Sequence, residues 1–443
     1  MNDQFLERMK SILADDYPQF LDSLERPFYK GVRLNPKKCE PEALVEMLRL
    51  TQPTPFYRYE YYNDSITGLN PFHCTGSLYL QEPSASSVVP LLGIQPNDLV
   101  LDLCAAPGSK STQILDFLET GFLVSNEIHP KRAQVLLSNM ERMGAVNFAV
   151  TNSDPKTIGS WFPACFDKVL VDAPCSGEGM IKKHEEVKED WSLENIDHCA
   201  SRQKEILPWA IKALKSGGEL VYSTCAYAIE ENEAIVAWIL EHFPEMEQVE
   251  IHAGFGRKGV SVLGMDPSKV VRITPIEGGE GQFVAKFRKK GSDFGEPLFL
   301  KNQKLNKKEA AFFHELTRKT YPYILKKDEK IFGMDHPFID FGKIKTLRQG
   351  VLMGEQKKGR IEPEHAFFLA ADQKEGLISK VEIDEEEMDR FMHGEVLMKN
   401  AAKGYVALCF KQTPFGFGKS DGNRITNKLP KGLRFLPKSH LSI

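Results

Sequence analysis

Between Asp98 and Ser223 five short apolar runs recur: Asp98–Leu103, Phe122–Asn126, Asn147–Thr151, Asp167–Asp172 and Gly218–Ser223. Stretches with helical apolar spacing fall among and after them, at Lys110–Leu118, Lys131–Met143, Ser201–Leu214 and Ile229–His242. Interleaved strands and helices of this kind require a parallel sheet wrapped by helices, because a parallel crossover needs a helix-length connection. Gln282–Lys286 adds a late strand, while the Gly- and Pro-rich stretch 245–281 reads as loop. Ligands bind at the carboxyl edge of such sheets, so chemistry is expected just after each strand.

The first strand runs into Cys104-Ala105-Ala106-Pro107-Gly108-Ser109-Lys110. Small residues there let a ligand approach the backbone, and the following helix N-terminus offers free N–H groups. The loop is neither GxGxxG nor GxxxxGKS, which disfavours a nicotinamide cofactor and a nucleoside triphosphate. The second strand ends at Glu127, placed to take both hydroxyls of a ribose. Asp154 follows the third, where it could accept from an adenine amino group, and Asp172 ends the fourth. Three strand-end acids in order favour an adenosyl ligand over three solvated strand ends. Lys110 is open at this point: it could depress a thiol pKa, meet a phosphate, or stand solvated at a helix start.

Two thiols reach the same edge. Val171-Asp172-Ala173-Pro174-Cys175-Ser176-Gly177-Glu178-Gly179-Met180 follows one strand, and Tyr222-Ser223-Thr224-Cys225-Ala226 another. One thiol at a strand end is usually packing, but two beside an acid and an adenosyl site point to thiolate chemistry. The residues alone leave open which thiol attacks.

The eight cysteines form no CxxC pair, so neither zinc nor a disulfide framework is expected, and no metal site is read. No apolar run reaches about 18 residues, and Met1–Arg8 lacks the regions of a signal peptide, so a cytoplasmic protein without membrane contact is expected. Residues 1–290 carry 30 basic and 40 acidic side chains, a net of −10, whereas 291–443 carry 27 and 21, a net of +6. The stretch 399–443 holds nine basic residues against the one acid Asp421, which suits a polyanion partner. Met1–Leu24 and Pro41–Leu50 read as helices around a short strand at Gly31–Leu34. Val381–Arg390 reads as an acidic helix start, and Gly404–Phe410 as a strand followed by a turn at Gly416-Phe417-Gly418-Lys419.

Taken together, Leu101–Lys110, Val171–Met180 and Tyr222–Ala226 resemble the motifs of the NOL1/NOP2/Sun family of RNA cytosine-5 methyltransferases. Arg33–Pro36, Gly76–Ser84 and Ser201–Leu207 extend the resemblance over about residues 25–290, with Asn35-Pro36 departing from the Asn-Thr of many members. Gly350–Glu355, Lys358–Pro363 and Lys428–Arg434 resemble the bacterial RsmF branch, which modifies 16S ribosomal RNA. The resemblance implies an α/β fold: a Rossmann-like class I methyltransferase with a mostly parallel seven-stranded sheet, a small N-terminal α+β domain and a C-terminal PUA-like β-rich domain. The expected divisions are 1–74 (N-terminal, RNA-binding-like), 75–290 (methyltransferase), 291–380 (intermediate) and 381–443 (PUA-like, RNA-binding).

It further implies S-adenosyl-L-methionine held by Cys104, Ala105, Ala106, Pro107, Gly108, Ser109, Lys110, Glu127, Asp154 and Asp172. Cys225 is then the nucleophile and Cys175 the residue that helps release product. Cytosine C5 is too weak a nucleophile to take a methyl group directly, and thiolate attack on C6 makes it enamine-like. Asp172 would contact N3, and if it donates there its surroundings must keep it protonated. The partner implied is RNA, 16S ribosomal RNA or the small subunit, and a monomer is expected. Two other readings compete. One is an RNA-docking or ribosome-assembly protein that kept the fold, which the intact pair of thiols disfavours. The other is an amino-nitrogen methyltransferase, whose polar-Pro-Pro-aromatic turn is here Asp-Ala-Pro-Cys.

Overall fold

A computed structural model describes residues 2–183, 185–373, 376–436 and 438–441. In the N-terminal part, helices Asp3–Leu13 and Tyr17–Leu24 precede a three-stranded antiparallel sheet of β1 (Gly31–Leu34), β2 (Glu60–Tyr62) and β3 (Leu78–Gln81), in order β2-β1-β3. Phe5, Met9 and Phe20 recur on one face of the two helices and pack on Trp191, Ile196 and Tyr227.

The central sheet is built from β4 (Leu99–Asp102), β5 (Phe122–Asn126), β6 (Phe148–Thr151), β7 (Phe166–Asp172), β8 (Leu214–Thr224), β9 (Met246–Gln248), β10 (Val270–Ile273) and β11 (Gln282–Lys289). Strands β4 to β8 pair in parallel and β11 and β10 antiparallel, in order β6-β5-β4-β7-β8-β11-β10. Seven strands is the number expected, though β10 lies in a stretch read as loop, and the sheet has nine. Strand β9 pairs with β11, and a strand from the later part of the chain covers the β6 edge. An open edge with unpaired N–H and C=O groups is thereby closed. Apolar side chains fill both faces, with Val169, Val171 and Tyr222 on one and Leu123, Val150 and Val221 on the other.

Several local expectations shift. The stretch 245–281 is not wholly loop, since it holds β9 and β10. The helix expected from Ser201 starts at Leu193, because Ser192 caps it by accepting from the Asn195 amide at 3.1 Å. The strand expected from Gly218 starts at Leu214, and the helix expected from Ile229 starts at Glu233.

The following part contributes β12 (Tyr323–Lys327), β13 (Lys330–Met334), β14 (Thr346–Gln349), β15 (Val351–Lys357) and β16 (Arg360–Pro363). Strand β14 is the one that closes the β6 edge, and the others form a sheet in order β12-β13-β15-β16. The last sheet holds β17 (Lys380–Glu382), β18 (Gly404–Phe410), β19 (Thr413–Ser420) and β20 (Ile425–Asn427) in that order. Here Gly416–Lys419 is strand, not turn, and the chain reverses at Lys411-Gln412 instead. Gly418 marks a close approach, since a Cβ there would lie 2.3 Å from Ile425 Cγ2.

The first and last sheets share one apolar core. Val32, Leu34, Phe72 and Leu78 pack with Phe391, Leu408, Phe410 and Phe415, and the Phe72 and Phe410 rings meet edge-on at 5.3 Å. The first sheet is also pinned to the helix Ser109–Phe117 that follows β4. Arg33, fully buried, pairs with Asp116 at 3.3 Å and donates to Thr112 Oγ1 at 2.7 Å.

Candidate active site

The strand order reverses at β4, whose neighbours β5 and β7 lead away in opposite directions, and a crevice opens beyond the carboxyl ends there. The cleft encloses about 940 Å³. Of the residues singled out in the sequence, Cys104, Ala106, Glu127, Asp154, Asp172, Cys175 and Cys225 line it.

The loop after β4 is held rigidly. Ala105 N–H donates to the Asn126 carbonyl at 2.8 Å, Arg132 donates to the Ala106 carbonyl at 2.8 Å and Asn139 to that of Pro107 at 2.9 Å. Gly108 has φ +110°, a conformation that disfavours a side chain, and a Cβ there would sit 3.0 Å from Leu136. Ser109 turns away from the cleft and donates to Gln81 at 2.6 Å. Glu127 is buried, accepts from the His129 amide at 2.8 Å and faces Arg132 at 3.6 Å. Asp154 caps the helix Pro155–Trp161, accepting from the Thr157 amide at 2.9 Å and hydroxyl at 2.7 Å. The Thr157 hydroxyl is the main reason its carboxyl is held below the usual range.

Lys110 is not solvated. It is buried and donates to Asp172 Oδ2 at 2.8 Å, while Ser223 Oγ donates to Oδ1 at 2.7 Å. Burial pulls the Lys110 ammonium down, but Asp172 outweighs it and the pKa is raised overall. Asp172 therefore accepts on both oxygens, from Lys110 and from Ser223. Lys110 stands behind Asp172 and does not itself line the cleft.

The two thiols meet. Cys175 Sγ lies 3.4 Å from Cys225 Sγ. A hydrogen bond to Cys225, with burial behind it, pushes the Cys175 thiol well up. The loops carrying them are stitched together. Gly179 N–H donates to the Cys225 carbonyl at 2.7 Å, and Glu178 accepts from the amides of Tyr227 and Ala228 at 2.7 Å each. A Cβ on Gly179 would lie 2.8 Å from the Cys225 carbonyl oxygen, so only glycine permits this approach.

Sequence reasoning missed a second wall. Arg202, Glu205, Ile206 and Trp209 line the cleft from the helix Leu193–Ala213. Their i, i+3, i+4, i+7 spacing was the available signal. Ser223, Glu231 and Asn232 were also passed over. Among the described residues no helix is long and apolar enough to cross a membrane.

Comparison with known proteins matches four segments of the chain. Residues 89–288 match the family model "16S rRNA methyltransferase RsmB/F". Residues 1–83 match the N-terminal domain of 16S rRNA methyltransferase RsmF, 311–370 its first C-terminal domain and 378–435 its PUA domain. Ribosomal RNA small subunit methyltransferase F of Vibrio vulnificus is 32% identical over 97% of this chain and 96% of its own, and that of Aeromonas salmonicida 31% over the same shares. Among solved structures, a methyltransferase homolog from Pyrococcus horikoshii superposes with TM-score 0.58 and 26% identity, covering 65% of this chain and 95% of its own. NSun6 of the same organism superposes with TM-score 0.57 at 21% identity, covering 65% and 98%, a likeness of fold.

Proposed function

The chain belongs to the ribosomal RNA small subunit methyltransferase F family, and from that premise we propose that it methylates C5 of a cytosine in 16S ribosomal RNA through a covalent adduct between Cys225 and C6. The observation that carries this reading is the contact of two thiols beside an ion-paired acid at the mouth of the cleft.

The cleft fits S-adenosyl-L-methionine. Its size, the small side chains Cys104 and Ala106 and the acids Glu127, Asp154 and Asp172 suit an adenosyl group with a ribose diol and a nearby sulfonium. Asp154 retains acceptor capacity for an adenine amino group, since each carboxylate oxygen has two lone pairs. Pro107, Gly108 and Ser109 shape the loop without lining the cleft, and Lys110 serves the base. S-adenosyl-L-methionine, when bound, supplies the methyl group that C5 takes up.

The chain's own residues do the rest. Cys225 as thiolate forms the C–S bond to C6, and charge builds on the ring at N3 and O2. Lys110, buried and fixed, offsets that charge. Asp172 accepts from the cytosine amino group, which uracil lacks, so it reads the base as well as orienting it. Cys175 then removes the C5 proton, and elimination of Cys225 restores the aromatic ring. The sulfur contact sets the order of events. The hydrogen bond to Cys225 and burial together hold the Cys175 thiol up, so committing Cys225 to C6 removes the first of these causes. That proton passes to solvent in the cleft, and Cys175 becomes a base only after attack has occurred.

The target base must leave its stack to reach this edge. The exposed Lys428, Lys431 and Lys438 of the last domain offer phosphate contacts. The protein works as a cytoplasmic monomer on RNA or the small subunit. Bisulfite sequencing of ribosomal RNA from cells lacking the gene tests the reading. Loss of one 5-methylcytosine signal in 16S ribosomal RNA, restored by the intact gene and not by Cys225→Ala, is expected. An unchanged 16S pattern overturns it.

A further inference from the structure

One dipeptide touches both thiol-bearing loops. Glu231 and Asn232 are fully buried between β8 and the helix Glu233–His242. Glu231 fastens the Cys175 loop. Its carboxyl accepts from the Ser176 amide at 3.0 Å, from the Ser176 hydroxyl, and from Gln203 Nε2 at 3.0 Å. Gln203 also donates to the Pro174 carbonyl at 3.0 Å, so the residues on both sides of Cys175 hang from one carboxyl group.

Asn232 fastens the Cys225 loop. Its Oδ1 accepts from Thr224 Oγ1 at 2.6 Å and its Nδ2 donates to the Ala226 carbonyl at 2.9 Å. The residues on both sides of Cys225 are thus held by one amide. Tyr222 Oη donates to the Glu231 carbonyl at 2.6 Å and ties the dipeptide back to the strand that delivers Cys225.

We infer that Glu231 and Asn232 are positioning residues with separable tasks: Asn232 holds Cys225 for attack on C6, and Glu231 holds Cys175 for removal of the C5 proton. Neither lines the cleft, so each acts through the cysteine loop it holds. Adjacency in sequence fixes the spacing between the two anchors, and with it the separation of the sulfurs. The inference rests on the two-thiol reaction proposed above. It adds that the two halves of that reaction are set by different side chains.

The test uses the full chain, small ribosomal subunits from cells lacking the gene, and radiolabelled S-adenosyl-L-methionine. Glu231→Gln should transfer methyl in the first turnover nearly as fast as the parent. It should then stall, with steady-state kcat down on the order of tenfold and covalent protein–RNA adduct accumulating on a denaturing gel. Asn232→Asp, which cannot donate to the Ala226 carbonyl, should lose first-turnover transfer by about tenfold and accumulate no adduct. Two milder variants reach the same anchors from the other side and guard against misfolding. Ser176→Ala should stall with adduct, and Thr224→Val should slow the first turnover, each by about fivefold, as loss of one hydrogen bond implies. Identical phenotypes for the two groups, or unimpaired turnover in all four variants, overturn the division. Cys175→Ala is the control. If it forms adduct while the Glu231 and Ser176 variants do not, the division alone fails; if it forms none, the two-thiol reaction fails and the division with it.

Discussion

Cys175 Sγ stands 3.4 Å from Cys225 Sγ although the two residues are 50 apart in sequence and on different strands. The contact is made possible by the parallel pairing of β7 and β8, whose register sets Asp172 against Ser223. From those paired positions each chain needs only a few residues to bring its sulfur to the same point.

Removing each thiol should arrest the reaction at a different stage. Cys225→Ala should abolish methyl transfer, by about 10⁴-fold or more for loss of a nucleophile, and leave S-adenosyl-L-methionine binding unchanged by calorimetry. Cys175→Ala should trap the enzyme on its RNA as a band shifted in a denaturing gel. Full turnover by Cys225→Ala sinks the mechanism, and normal turnover without adduct in Cys175→Ala removes that residue from it.

Lys110→Met leaves Asp172 without its ammonium partner in a largely buried setting. Stability should fall by on the order of 2 kcal/mol, at the low end for a broken buried pair because Asp172 is partly open to the cleft. Activity should fall by about 100-fold, as for loss of one preorganised charge. Denaturant melts of Lys110→Met and of Lys110→Met with Asp172→Asn separate the two effects. The double variant should regain stability without regaining activity.

Buried acids give the fold a pH dependence of known sign. Burial pushes Glu60 up to about 8, and Asp102 and Glu231 to about 7. Groups raised on folding stabilise fully below their unfolded value, near 4.5 for glutamate, and lose that contribution as pH rises to the folded value. Thermal stability from these groups should therefore decline between about pH 4.5 and 8. Glu60→Gln should be less steep, above all beyond pH 7, where Asp102 and Glu231 are already half ionised and their own contributions level off. A variant that tracks the parent to pH 8 refutes the assignment to Glu60.

Replacing Lys428, Lys431 and Lys438 by Ala should weaken binding to 16S ribosomal RNA and flatten its salt dependence. Every lysine–phosphate pairing removed takes about 0.7 from the slope of log K against log salt for single-stranded RNA, so the triple variant should show a slope shallower by about 2. An unchanged slope in filter binding moves the RNA path off this surface.

Much of the site was legible because its residues stand immediately after apolar runs, where the parallel alternation puts a sheet edge. Asp172, Cys175 and Cys225 needed only that topology. The Lys110–Asp172 pair was not legible, since it crosses from the loop after β4 to the end of β7 and depends on which strands are neighbours. Glu231 and Asn232 read as a polar helix start, and nothing in their spacing tells that their side chains turn back onto two other loops. Gly416 and Gly418 read as turn residues because composition cannot separate a glycine that bends the chain from one that admits a neighbour. The closing of the β6 edge by β14 lies beyond local pattern altogether, joining segments nearly 200 residues apart.

The core common to the first and last sheets makes this polypeptide a noose drawn around its central sheet. Sequence divides it into cassettes, but Leu34, Phe72 and Phe410 hide each other's apolar faces across almost the whole length of the chain. A frameshift or deletion past residue 380 would not leave a smaller working enzyme. It would leave an uncapped, sticky first domain beside the catalytic cleft.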